Sequence, residues 1–73
     1  MGRRIGEPRT YTDAHGTAWR VSEHEAGDEV GPARRGQRFL LFESGSLAWR
    51  LWTYPPDWRE LPDERLAALG WRT

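Results

Sequence analysis

A chain of 73 residues has room for one domain and one small core. It contains no cysteine, which removes disulfide frameworks and zinc–thiolate sites, and no apolar run approaches the ~20 residues of a membrane span. Its 11 basic and 11 acidic residues balance, so it is a poor candidate for tight nonspecific DNA binding, which draws on phosphate neutralisation.

Residues 1–8 include Gly2, Gly6 and Pro8 with few large apolar groups and read as a flexible N-terminal arm. The single domain is expected over 9–73. The stretch Arg9–Asp13 holds strand formers, and Ala14-His15-Gly16 reads as a turn in which Gly16 takes positive φ. From Thr17 to Glu25 the pattern alternates: Thr17, Trp19, Val21 and Glu23 point one way, Ala18, Arg20, Ser22 and His24 the other. That predicts a half-buried strand and a first hairpin. Residues 26–37 carry three glycines, a proline and several charges, and are expected to form a long loop.

Next comes Phe39-Leu40-Leu41-Phe42, the one continuous apolar run. It is short, has aromatic ends and is followed by Ser44-Gly45-Ser46, which favours a strand in the middle of a sheet. Residues Leu47–Tyr54 fit either a strand or a helix capped by Ser46. An internal similarity favours the strand. Asp13–Val21 aligns without gaps on Glu43–Leu51, and both segments hold Ala-Trp-Arg followed by an aliphatic residue. Pro55-Pro56 ends that strand. Asp57–Leu61 is expected to make one tight turn. Pro62 opens a short helix with Asp63 and Glu64 in its first turn, and Gly70 closes it. Trp58, Leu61, Leu66, Leu69 and Trp71 are its candidate sheet contacts. The expected architecture is α+β: a four-stranded antiparallel sheet of two hairpins with one C-terminal helix on one face. The alternatives are three strands plus two helices, or a small SH3-like barrel.

Catalytic patterns are weak. The serines lack a nucleophile-elbow context, and the pairs Asp28-Glu29 and Asp63-Glu64 suit loop solvation and helix capping. His15 and His24 match no metal-ligand spacing. No cofactor, no metal and no enzymatic activity are therefore expected. Recognition fits the composition better. All basic residues are arginine, and the chain holds five tryptophans, the two residue types most enriched in binding hot spots. The candidate contact residues are Arg20, Arg50 and Trp52 on the open sheet face, with Arg34, Arg35 and Arg38 in the loop and the following strand start. The expected partner is another protein. The alternative is single-stranded nucleic acid held by sheet-face tryptophan and arginine, with Arg3, Arg4 and Arg9 of the arm contributing. A basic start without an apolar stretch behind it is not a signal-peptide pattern, so a cytoplasmic setting without a membrane is expected.

The order Phe42-Glu43-Ser44, Trp49-Arg50-Leu51, Tyr54-Pro55-Pro56-Asp57-Trp58-Arg59-Glu60-Leu61 and Leu66, with upstream Asp13, Gly16 and Trp19-Arg20-Val21, resembles a pattern in short uncharacterised bacterial proteins. In that pattern a strand ending in Phe-Glu-Ser precedes an arginine-bearing segment, Tyr-Pro-x-x-Trp and a short leucine helix. The resemblance covers residues 11–69 and implies a small bacterial domain with no function attached. This chain has Trp49 where the pattern usually has arginine.

Overall fold

The computed structural model describes residues 3–28 and 31–70. Four antiparallel strands run in sequence order across one sheet: β1 (Arg3–Thr12), β2 (Ala18–Glu25), β3 (Arg38–Ser44) and β4 (Leu47–Leu51). A 3₁₀ turn (Trp58–Glu60) and one helix, α1 (Asp63–Gly70), follow. The four-stranded α+β architecture expected from the pattern is the one observed, and the Leu47–Tyr54 ambiguity resolves to a strand. The apolar β3 run occupies an interior position, flanked by β2 and β4, because only an interior strand can bury both of its faces.

The sheet begins at Arg3 rather than Arg9. The stretch expected as an arm pairs with β2, with Arg3 opposite Glu25, Arg4 opposite His24 and Ile5 opposite Glu23. Pairing then slips, resuming at Arg9 opposite Val21, so four steps along β1 match two along β2. Such a bulge accommodates what a regular ladder rejects. Gly6 takes φ +74°, and Pro8 has no N–H to donate. The glycine also admits a close neighbour: a Cβ at position 6 would lie 2.6 Å from the Arg59 guanidinium. The next turn forms as expected, with Gly16 at φ +81° and the Asp13 carboxylate accepting from the backbone N–H groups of His15 and Thr17.

Strand alternation assigns the faces. Tyr11, Trp19, Val21, Glu23, Leu40, Phe42, Trp49 and Leu51 share one, because their register partners are one another. On that side Tyr11, Val21, Leu40 and Phe42 are buried with Trp58 and Leu66, and Leu61 and Leu69 pack against them. Trp49 lies flat on Phe42, ring centroids 4.5 Å apart. Trp58, only 1% exposed, is the largest fully buried side chain. It fills the space under the 3₁₀ turn that the Asp57–Leu61 segment was expected to make. Trp71 lies outside the described residues.

Polar contacts fix this layer. Arg9 donates to the carbonyls of Trp58 and Arg59 and to Asp63 Oδ1 at 3.0 Å, so one β1 side chain holds both the 3₁₀ turn and the start of α1. Pro62 accepts from the N–H groups of Arg65 and Leu66, opening the helix where proline and two acids predict it. Glu23, nearly buried on the apolar face, accepts from the Tyr54 hydroxyl at 2.7 Å and from Arg59 at 3.3 Å. Burial, the hydrogen bond to Glu23 and its negative charge all raise the Tyr54 pKa above the ordinary phenol value.

Truncating Trp58 to alanine should cost about 3–5 kcal/mol, a large part of what a domain this size has. Tyr54→Phe should cost about 1.5–3 kcal/mol, the range for a hydrogen bond to a charged group. Urea unfolding checks both: the midpoint should fall with the m-value unchanged.

Candidate functional site

The second face of the sheet carries no helix among the described residues. Its residues follow from the same register: Arg4 beside His24, Arg20 beside Glu43, Ser22 beside Leu41, His24 beside Phe39, and Leu41 beside Arg50. At one end stands an aromatic cluster separate from the main core. Phe39 is 4% exposed. His24 stacks on it at 5.4 Å, and Trp52 tilts against it at 4.9 Å. Trp52, two residues after Arg50, falls on this side by the same alternation, at the bend that follows β4.

Arginines cover the rings. The Arg50 guanidinium lies 5.2 Å from the Phe39 centroid, and that of Arg34 lies 4.4 Å from the Trp52 centroid. Both distances are within cation–π range. Arg34 arrives from the 26–37 loop, whose base is closed by Ala26 N–H donating to Gln37 and Gly36 N–H donating to Ala26. Within the loop Arg34 N–H donates to the Gly31 carbonyl, and its guanidinium donates to Gln37 Oε1 at 3.1 Å. This part of the long loop is therefore folded onto the sheet. Among the described residues, no carboxylate lies within ion-pair distance of Arg20, Arg34 or Arg50.

His24 reports the local field. Its pKa is lowered, first by burial and then by the positive charges of Arg4, Arg50 and Arg20, against the opposing pull of Glu43. Its Nε2 is 2.8 Å from Ser22 Oγ. Four arginines to one glutamate make this face basic, although the chain as a whole is neutral.

Of the six contact residues expected from the sequence, the structure gathers Arg20, Arg34, Arg50 and Trp52 on this face. Arg35 sits in the same loop but pairs with Asp28 at 2.9 Å. Arg38 falls on the other face: it alternates with Phe39, and its charge acts on Tyr54, beside Glu23. Of the arm arginines, Arg4 reaches the face, Arg3 pairs with Glu25 at 3.5 Å, and Arg9 serves the helix. Sequence reasoning placed His24 on the polar side but missed its packing on Phe39. The signal was the apolar run itself, since alternation forces one aromatic residue of Phe39–Phe42 to the side away from the helix. Comparison with protein-family models, curated proteins and solved structures returns no match. No helix among the described residues is long and apolar enough to cross a membrane.

The lowered His24 pKa sets a pH dependence. The unfolded chain, with histidine near 6.5, binds a proton that folded His24 resists. Stability should therefore fall as pH drops below about 6.5 and level off once folded His24 itself protonates. Comparing unfolding midpoints of the wild type and His24→Gln across pH 4.5–8 checks this: the difference between them should carry that slope, and a constant difference would contradict it.

Proposed function

We propose that this chain is a noncatalytic protein-interaction module whose open sheet face captures an acidic segment of a partner protein. A cytoplasmic bacterial setting belongs to the same reading, supported by the sequence pattern. The observation that carries it is the pair of arginine–aromatic stacks, Arg34 on Trp52 and Arg50 on Phe39. Each guanidinium is held over a ring, Arg34 also by its hydrogen bond to Gln37, and among the described residues neither is paired with a carboxylate. This pre-organisation lowers the entropy lost on binding. Arg20 and Arg4 extend the same positive field.

Single-stranded nucleic acid is the rival, because a small antiparallel sheet bearing aromatics and arginines suits it. The same geometry weighs against it. A base stacks on a bare ring, whereas Phe39 is buried and a guanidinium already lies over Trp52. A base would have to displace the arginine to gain a comparable contact.

The test is selection of linear peptides on the immobilised protein from an unbiased display library. Selected peptides should be rich in Asp and Glu, and Arg50→Glu or Trp52→Ala should weaken them at least tenfold, with the thermal midpoint of Arg50→Glu within a few degrees of the wild type. Selected peptides with no acidic bias, or equal binding to Arg50→Glu, would defeat the proposal. Oligothymidine binding that weakens steeply with salt and is lost in the same variants would put nucleic acid in its place.

A further inference from the structure

A recess lies on the opposite side of the sheet, between the β1–β2 turn and the second half of α1. Its volume is about 430 Å³, the size of a small-molecule site. Tyr11, Trp19 and Trp49 form aromatic walls, Ala67 and Ala68 form a small-residue wall, and Asp13 supplies a carboxylate. A neighbouring recess shares Asp13 and Ala67 and adds Asp63 and Glu64.

Carboxylates dominate the charge of this region, although His15 also lines the recess and its charge acts on Asp13. Arg9 neutralises Asp63, but among the described residues no arginine lies within ion-pair distance of Asp13 or Glu64. Tyr11 senses the result: burial raises its pKa, and the charges of Asp13 and Asp63 raise it further. Asp13 is held in its charged form at neutral pH. The hydrogen bond from Trp19 lowers its pKa most, and the backbone N–H groups of Thr17 and His15 add to this. The bond from Trp19 Nε1 to Asp13 Oδ2, 2.9 Å long, also fixes the indole relative to the carboxylate. Trp49 is fixed in turn by its flat stack on Phe42. The walls are therefore set before any ligand arrives.

We propose that this recess binds a small cation with an apolar body, a methylated or quaternary ammonium group, with Tyr11, Trp19 and Trp49 as walls and Asp13 as counter-charge. Aromatic faces attract such a cation through their quadrupoles, and its weak hydration keeps the cost of leaving water low. The carboxylate, with N–H donors already on both of its oxygens, supplies long-range attraction without needing a hydrogen bond from the ligand. A neutral apolar molecule would fill the space but leave the negative field uncompensated. A carboxylate ligand would be repelled.

The test compares choline with 3,3-dimethyl-1-butanol, which has the same shape without the charge. The full chain is titrated with each, and the indole N–H signals of Trp19 and Trp49 are followed by NMR. Choline should shift both saturably, and the neutral analogue should bind roughly tenfold more weakly, as expected for a partly desolvated cation–π site. Asp13→Asn should remove the preference. Because that substitution also touches the turn, Trp19→Phe gives an independent check: it keeps a ring in the wall, and binding should persist at reduced strength. Equal binding of the two probes would show an unselective apolar recess and overturn the proposal, as would no shift with either. Indole shifts that follow protein concentration with no probe added would assign the recess to a second copy of the chain and overturn it too.

Discussion

The Glu23 carboxylate is the constraint on which the rest of this molecule depends. It projects from an interior strand onto the apolar face, beside Leu40 and opposite Ile5. A charge there is costly unless it is paired and hydrogen-bonded. Tyr54 and Arg59 meet that demand, and both come from the segment after the sheet. Arg59 then reaches across to the Ile5 carbonyl at 2.6 Å and lies over the Trp58 ring at 4.4 Å. One buried acid thus ties β2 to the C-terminal segment, that segment to β1, and the largest core side chain to its place. Removing Glu23 would relieve a desolvation cost but leave the segment 54–61 with less to define its position. The bulge around Gly6 belongs to the same arrangement, since the Arg59 guanidinium occupies the space a side chain would take.

The balanced charge of the whole chain conceals two unlike surfaces. Arg4, Arg20, Arg34 and Arg50 gather around His24 and Trp52 on one side of the sheet. Asp13, Asp63 and Glu64 border the recess on the other. At the ~8 Å Debye length of physiological salt, opposite faces of a sheet largely ignore each other. Each face therefore presents its own sign to whatever approaches. Net charge was a sound argument against nonspecific binding to nucleic acid, but it carries no information about a patch of this size.

The sheet, both hairpins, the interior place of the apolar strand and the helix were legible because each element has a local cause: alternation in β2, the apolar run in β3, the proline pair after β4, and proline and acids at the helix start. The first part of β1 was not legible. Gly6 and Pro8 look like breakers in isolation, and only the partner strand and Arg59 make a bulge of them. The face assignment of Arg20, Arg50 and Trp52 could be read from period two. That of Arg38 could not, because its role depends on knowing that Phe39 turns away from the helix. The Glu23 network left one visible trace, a charged residue on the apolar side of an otherwise clean alternation. A charge in that position calls for a partner, and Tyr54 and Arg59 are too distant in sequence for spacing to name them.

The repeated Ala-Trp-Arg tripeptide explains how so short a chain builds two different surfaces. In a strand, successive side chains point to opposite faces. Trp19 and Trp49 therefore enter the helix side, where both line the recess. Arg20 and Arg50, one residue later, stand on the open face on either side of β3, opposite Glu43 and Leu41. The same three residues in β2 and β4 thus supply an aromatic wall to one surface and a cation to the other. The two surfaces are linked through the register: a slip of one residue would bury Arg20 or Arg50 under the helix and expose the tryptophans. Trp49 stacked on Phe42 resists such a slip from one side of β4, and Arg50 over Phe39 resists it from the other.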